Sequence, residues 1–197
     1  MATHPHRLRL WMVLVPLLAV ALVGVGVWIF TQWDWGHVSA SDSYAQALEH
    51  LDNGDPAAAT IELRNTLAAD ANHAEARFRL GRIYLEAGHA TAAEKELERA
   101  KSLGVKSTEL DLGLLRTKLL SGKAEETLAG LAFLEDGKVA TSTEALLLRG
   151  DAMLVLGRLD AAEETYERIL KSDPDNLAAL RGAAEVSVAQ GDILVAS

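Results

Sequence analysis

Cysteine is absent from the 197 residues. That absence excludes a disulfide framework, a thiolate metal site and a cysteine nucleophile. It also removes the acylated cysteine that a bacterial lipoprotein anchor requires. Acidic residues are missing from the first 30 positions, whereas the remainder carries all 28 of them with 17 of the 19 Lys and Arg. The formal net charge of −9 argues against a nucleic-acid backbone as the main partner. Matched metal ligands are lacking too. His4, His6, His37, His50, His73 and His89 include no i, i+4 pair and no HExxH spacing that would set two ligands on one helix face. His73 and His89 fall at junctions and turns, where solvated surface accounts for them. Glycines are dispersed rather than grouped as GxGxxG or a P-loop, so nucleotide binding has no support. Glu94, Glu96, Glu98, Glu125 and Glu126 read as a solvated outer face, since acid–base catalysis would need a pocket. No enzyme, cofactor or metal is expected.

What is present begins with an uncharged run, Leu10 to Phe30. A helix of that length spans the roughly 30 Å hydrocarbon core of a bilayer, and Pro16 is tolerated in such a helix. Arg7 and Arg9 precede the run and Asp34 follows it, so the positive-inside rule leaves residues 1–9 in the cytoplasm. Trp11 marks one edge and Trp28, Trp33 and Trp35 the other, as an interfacial belt. The rival reading is a signal peptide cleaved after Ala40, with Val38-Ser39-Ala40 as its small-residue site. The apolar run is longer than a signal core and lies far from Ala40, which favours a retained anchor. Residues 31–42 then form a linker, and 43–197 a domain outside the cytoplasm, in the periplasm of a Gram-negative cell.

The stretch from Ala74 to Ala100 reads as two amphipathic helices broken at Gly88-His89. Gly81 on the first and Ala93 on the second are small enough for the helices to cross closely there. The pattern recurs, with break glycines at Gly54, Gly88, Gly122, Gly157 and Gly191, spaced 34, 34, 35 and 34 residues apart. A period of 34 in helix–turn–helix units is the tetratricopeptide (TPR) repeat signature. The fold class expected is an all-α, right-handed TPR solenoid of about four and a half repeats behind one transmembrane helix. Asp55-Pro56 opens the second helix of repeat one, where proline is welcome. Repeat three is degenerate: Leu115 replaces the small residue of Ala47, Gly81, Gly150 and Ala184, and Thr127 replaces Ala59, Ala93 and Ala162. Its helices are expected to pack further apart or to cross differently. One inserted residue precedes repeat four, where Thr141-Ser-Thr-Glu144 offers a capping box. Ser172-Asp-Pro174-Asp-Asn176 ends repeat four and starts the next. Repeat five has a first helix, Leu177 to Gln190, then a break at Gly191-Asp192. A solenoid end is normally capped by a polar face; Ile193-Leu-Val195 is apolar, which suggests a longer array or self-association through that end.

Leu80-Gly81, Tyr84, Ala93 and Ala100 in repeat two, with Gly150, Ala162, Tyr166 and Pro174 in repeat four, match the TPR motif, and the resemblance covers about 155 residues. The run from Ile61 to Val105, with the degenerate third repeat and the run from Leu148 to Leu170, resembles the TPR proteins of the PEP-CTERM/exosortase system. That resemblance implies a place in Gram-negative exopolysaccharide biosynthesis. Those proteins are longer arrays and commonly lipoproteins; here an inner-membrane anchor would stand in for the lipid.

Carrying the family's concave-groove positions onto this chain gives Tyr44 and Leu48, Phe78 and Arg82, Leu112 and Arg116, Leu147 and Asp151, and Arg181 and Glu185. Arg82 and Arg116 lie one period apart, and with Arg79 they could form a basic patch that grips a carboxylate bidentately. Ordinary surface ion pairing with the local Glu and Asp residues is the favoured reading for all three. Tyr44 and Leu48 stand where the chaperone-tail clamp needs Lys and Asn, so that ligand is not expected. Tyr44, Leu48 and Phe78 suit an apolar or helical segment, or are equally well covered by the neighbouring core. The function expected is a membrane-anchored scaffold that binds a protein partner of envelope or exopolysaccharide machinery. The alternative is a periplasmic chaperone-like assembly factor for secretion or cytochrome maturation. Direct glycan binding is disfavoured by the scarcity of aromatics.

Overall fold

The computed structural model describes residues 39–134 and 142–196, and among these it is all helix. The expected anchor at 10–30 lies outside the described residues. No helix within them is long and apolar enough to cross a membrane. The helices are α1 (Ala40–Asp52), α2 (Pro56–Ala69), α3 (Ala74–Glu86), α4 (Ala90–Ser102), α5 (Thr108–Leu120), α6 (Ala124–Phe133), α7 (Thr143–Val155), α8 (Leu159–Ser172) and α9 (Leu177–Ala196). Consecutive helices pack as hairpins, and the first helices of successive repeats also touch, α3 with α5, α5 with α7 and α7 with α9. This is a TPR-type solenoid. Its compact unit starts at Ser39 rather than at residue 43, because the Ser39 side chain accepts from the Asp42 amide and begins α1.

Local chemistry sets the helix ends. Asp55 accepts from the Ala58 amide at 2.9 Å with Pro56 in the first turn, and Ser107 does the same for Leu110. Asn176 accepts from Ala179 at 3.0 Å, so the Ser172–Asn176 segment stops one helix and caps the next as expected. At the hairpin turns Gly54, Gly88, Gly122 and Gly157 have φ between 68° and 78°, a left-handed conformation that costs glycine little.

Expectations about the repeats are corrected at several points. Gly191 does not break a helix: α9 runs through it to Ala196. Elsewhere the turn glycine is held left-handed because the next helix folds back on its partner. At Gly191 the helical backbone is kept, since glycine accepts either conformation. Ala184, small at the crossing position, is exposed. The cap of α7 is Ser142, which accepts from Ala145; Thr141 of the expected capping box lies outside the described residues.

The crossing point also differs. A Cβ on Gly81 would lie 2.7 Å from Leu97 Cγ and 3.2 Å from the Leu97 backbone nitrogen, so the close partner is Leu97, one turn beyond Ala93. Gly150 repeats this against Tyr166. In repeat three Leu115 is accommodated by Gly130, whose missing side chain leaves room for the leucine. Thr127 is buried without holding the helices apart: its hydroxyl lies 3.0 Å from the Lys123 carbonyl at the start of its own helix and 3.3 Å from the Leu115 carbonyl of α5, and its one proton is shared between them.

The core is segmented along the array. Ala47, Leu63, Ala76 and Leu80 form one cluster; Phe78, Leu97, Ala100, Leu110 and Leu114 the next. Leu112, Leu115, Leu119, Leu131 and Leu148 follow, and then Leu146, Tyr166, Ile169 and Val186. Such clusters couple each repeat to its neighbours, which is how a solenoid is stabilised.

Candidate interaction cleft

A cleft of about 340 Å³ opens among α3, α5 and α7, lined by Arg82, Leu85, Glu86, Glu109, Gly113, Arg116 and Glu144. A shallower one beside it, about 230 Å³, is lined by Leu51, Arg79, Arg82, Ile83 and Glu86. First helices of successive repeats therefore supply the lining. Gly113 presents no side chain, and a Cβ there would come 3.2 Å from Leu97 Cδ1 of α4 and 3.7 Å from Leu85 Cδ2 of α3, so α5 packs closely on the preceding hairpin at the cleft.

Arg82 is held on both sides. Its guanidinium lies 3.6 Å from Glu86 on its own helix and 2.5 Å from Glu109 on α5. Arg79 pairs with Glu75 at 3.5 Å, and its Nε donates to the Tyr44 hydroxyl at 3.3 Å. Burial works against the Arg79 charge, but the contacts with Tyr44, then Glu75 and Glu109, outweigh it and hold its pKa above the ordinary value. Arg116 is half-buried and makes no side-chain hydrogen bond or ion pair among the described residues. Glu144 is exposed at its outer side but partly desolvated where it lines the cleft, which pushes its carboxyl above the usual carboxylate range; Glu109 adds to the rise, while Arg116 and Arg82 oppose it.

The expected groove residues divide by helical turn. Arg82 and Arg116 line the same cleft. Phe78 and Leu112 do not: they are 6% and 3% exposed and belong to the core. They sit one turn before Arg82 and Arg116 on nearly the same face and pack into the core with residues of the two following helices. Leu147 packs partly buried against the Tyr166 cluster. Tyr44 packs against the first cluster, its ring 4.6 Å from that of His73. Leu48 is half-buried. Asp151 accepts a 2.8 Å hydrogen bond from Tyr166, and Arg181 pairs with Glu185 at 3.6 Å on an exposed face. The basic patch is in fact a mixed-charge surface.

Sequence reasoning misses Glu109, Glu144, Leu85 and Gly113. The signal for two of them is present, because Glu75, Glu109 and Glu144 recur at the repeat period and each sits at the second position of its helix. His73 is more than solvated surface: its Nδ1 accepts from the Ala76 amide at 3.1 Å and caps α3. Glu96 does not belong to a solvated face either, being 9% exposed and paired with Arg77 of α3. Arg77 also donates to the Ala71 carbonyl from Nε and Nη2 at 3.1 and 2.8 Å. That network fastens α4 to the loop before α3.

Two tetratricopeptide-repeat sequence profiles match the chain, over residues 40–119 and 143–186. The chain is a tetratricopeptide-repeat protein. Solved structures with the same fold include YrrB, described as a TPR protein with an unusual peptide-binding site, at 18% identity and a TM-score of 0.56 over 82% of this chain and 83% of that one. A MamA structure gives 20% identity and a TM-score of 0.59 over 78% of this chain and 88% of that one. TTC0263, a thermophilic TPR protein of Thermus thermophilus, gives 20% and 0.54 over 87% and 94%. A curated relative, cellulose synthase 1 operon protein C of Komagataeibacter xylinus, is 26% identical over 155 residues. That match takes in 73% of this chain but 12% of the relative, so the chain spans about an eighth of its length. TPR arrays as a class are protein-interaction scaffolds.

Proposed function

We propose that this chain is a membrane-anchored TPR scaffold that binds a protein partner of exopolysaccharide or envelope machinery, with residues 10–30 in the inner membrane and the array in the periplasm. The observation that carries the binding reading is the cleft among α3, α5 and α7, where charged side chains of three successive repeats converge. Convergent polar groups in a concave site mark a recognition surface. The likeness to a protein of a cellulose synthase operon supports the exopolysaccharide setting, in line with the resemblance to exosortase-system TPR proteins. The uncharged run before the array supports the anchor.

Reporter fusions after Asp42 and after Ser197, with intact mass of the membrane-extracted chain, test the placement. Both reporters outside the cytoplasm and a retained N-terminus are expected; cytoplasmic reporters would remove the export reading. The partner reading is tested by co-isolating the full chain with the subunits of a polysaccharide synthase from the same cell. Arg82→Glu with Arg116→Glu should abolish that association. Unchanged association would take the cleft out of the binding surface.

A further inference from the structure

The cleft contains one ion pair that is closed and a second, at the equivalent positions one repeat later, that is open. Arg82 of α3 and Glu109 of α5 meet at 2.5 Å. One repeat on, the same two positions are Arg116 of α5 and Glu144 of α7. Both line the cleft, and they are near enough for Arg116 to act on the Glu144 charge. Neither makes a side-chain hydrogen bond or an ion pair within 4.0 Å among the described residues. The split coincides with the irregular third repeat. Where Glu109 sits behind a Ser107 cap, Glu144 follows Ser142 after the repeat spacing lengthens by one residue.

Building on the protein-binding reading above, we infer that the partner segment completes this split pair: an acidic side chain of the partner seats on Arg116 and a neighbouring basic side chain on Glu144. The guanidinium fork of Arg116 is free to take a carboxylate bidentately. A purely acidic ligand would meet Glu86, Glu109 and Glu144 around the same opening, and a purely basic one would meet Arg82 and Arg116. Arg82 offers little to either, being held by Glu86 and Glu109. A segment with one charge of each sign satisfies both free groups and repels neither. At about 340 Å³ the cleft reaches the lower end of the ~300–1,000 Å³ found for ligand sites, which suits two side chains rather than a long buried stretch.

The test is selection of a random dodecapeptide display library on the full chain in detergent, with wild type, Glu144→Gln, Arg116→Gln and the swap Arg116→Glu with Glu144→Arg compared in parallel. Circular dichroism checks each variant's fold; Glu144 is exposed, so Glu144→Gln gives a second route if the swap does not fold. Wild type should enrich peptides with one acidic and one basic residue at a fixed spacing. Glu144→Gln should lose the basic preference and keep the acidic one, and Arg116→Gln the reverse. The swap should enrich the same spacing with the order of charges inverted. A single-sign or uncharged consensus, or a paired consensus unchanged in the variants, overturns this inference while leaving the array a peptide binder. Enrichment of no sequence at all overturns both readings.

Discussion

Leu115 of α5 lies over Gly130 of α6, in space that any side chain on Gly130 would have to share. Gly130→Ala should therefore destabilise the array despite alanine's better helix propensity. Overpacking typically costs about 1–3 kcal/mol against the ~1 kcal/mol gained by replacing a helical glycine. Leu115→Ala alone should cost about 2–5 kcal/mol as a buried large-to-small change. In that background Gly130→Ala should turn neutral or stabilising. A double-mutant cycle by urea unfolding measures the coupling, and additivity would contradict the contact.

Tyr166 is wedged between two glycines on different helices. A Cβ on Gly150 would approach its Cε1 to 2.7 Å, and Gly182 lies closer still. A buried aromatic ring yields less than a leucine end, so Gly182→Ala should cost near the top of the ~1–3 kcal/mol overpacking range, and Gly150→Ala less. Tyr166→Phe keeps the ring and removes the hydrogen bond to Asp151, a loss of about 1 kcal/mol. Thermal or urea unfolding of the three variants should give that order.

Arg77 and Glu96 are the most enclosed ion pair described, with side chains 17% and 12% exposed. Removing either partner strands the other. Arg77→Ala or Glu96→Ala should cost about 2–3 kcal/mol, somewhat below the ~3–5 kcal/mol of a fully buried pair. Arg77→Met with Glu96→Leu should cost less than either single change. An additive double variant in urea unfolding would show that the two act independently.

Glu144 gives a pH dependence with a definite sign. Its folded-state pKa is raised by burial first and then by Glu109, so between the ordinary carboxylate value and that raised value the folded chain binds more protons than the unfolded. Stability contributed at this site is present at low pH and falls as pH rises through that window. Glu144→Gln should match wild type in acid and become relatively more stable above the window. Urea midpoints across pH, compared between the two, check this; a difference of opposite slope would refute it.

The repeat period made the helices, the hairpin turns and most caps legible, because glycines and Asp-Pro pairs carry their own backbone preferences. Arg82 and Arg116 could be placed in one groove for the same reason. Phe78 and Leu112 could not be told from groove residues, since they share a helix face with Arg82 and Arg116 and only the packing of the following helices decides which turn is covered. Leu115 looked like a defect because its compensation sits at Gly130, a position that other repeats fill with Glu96 and Thr165. The turn at Gly191 was misjudged because glycine permits a left-handed turn without requiring one.

The exchange between α5 and α6 also constrains how such a repeat could have diverged. From a small residue at 115 and a side chain at 130, two single steps lead to Leu115 with Gly130. Enlarging 115 first passes through a collision between two buried side chains. Trimming 130 first passes through a void, which a solenoid can bear while its neighbouring repeats remain intact. The glycine would have come before the leucine, and a consensus repeat grafted here must replace both positions together.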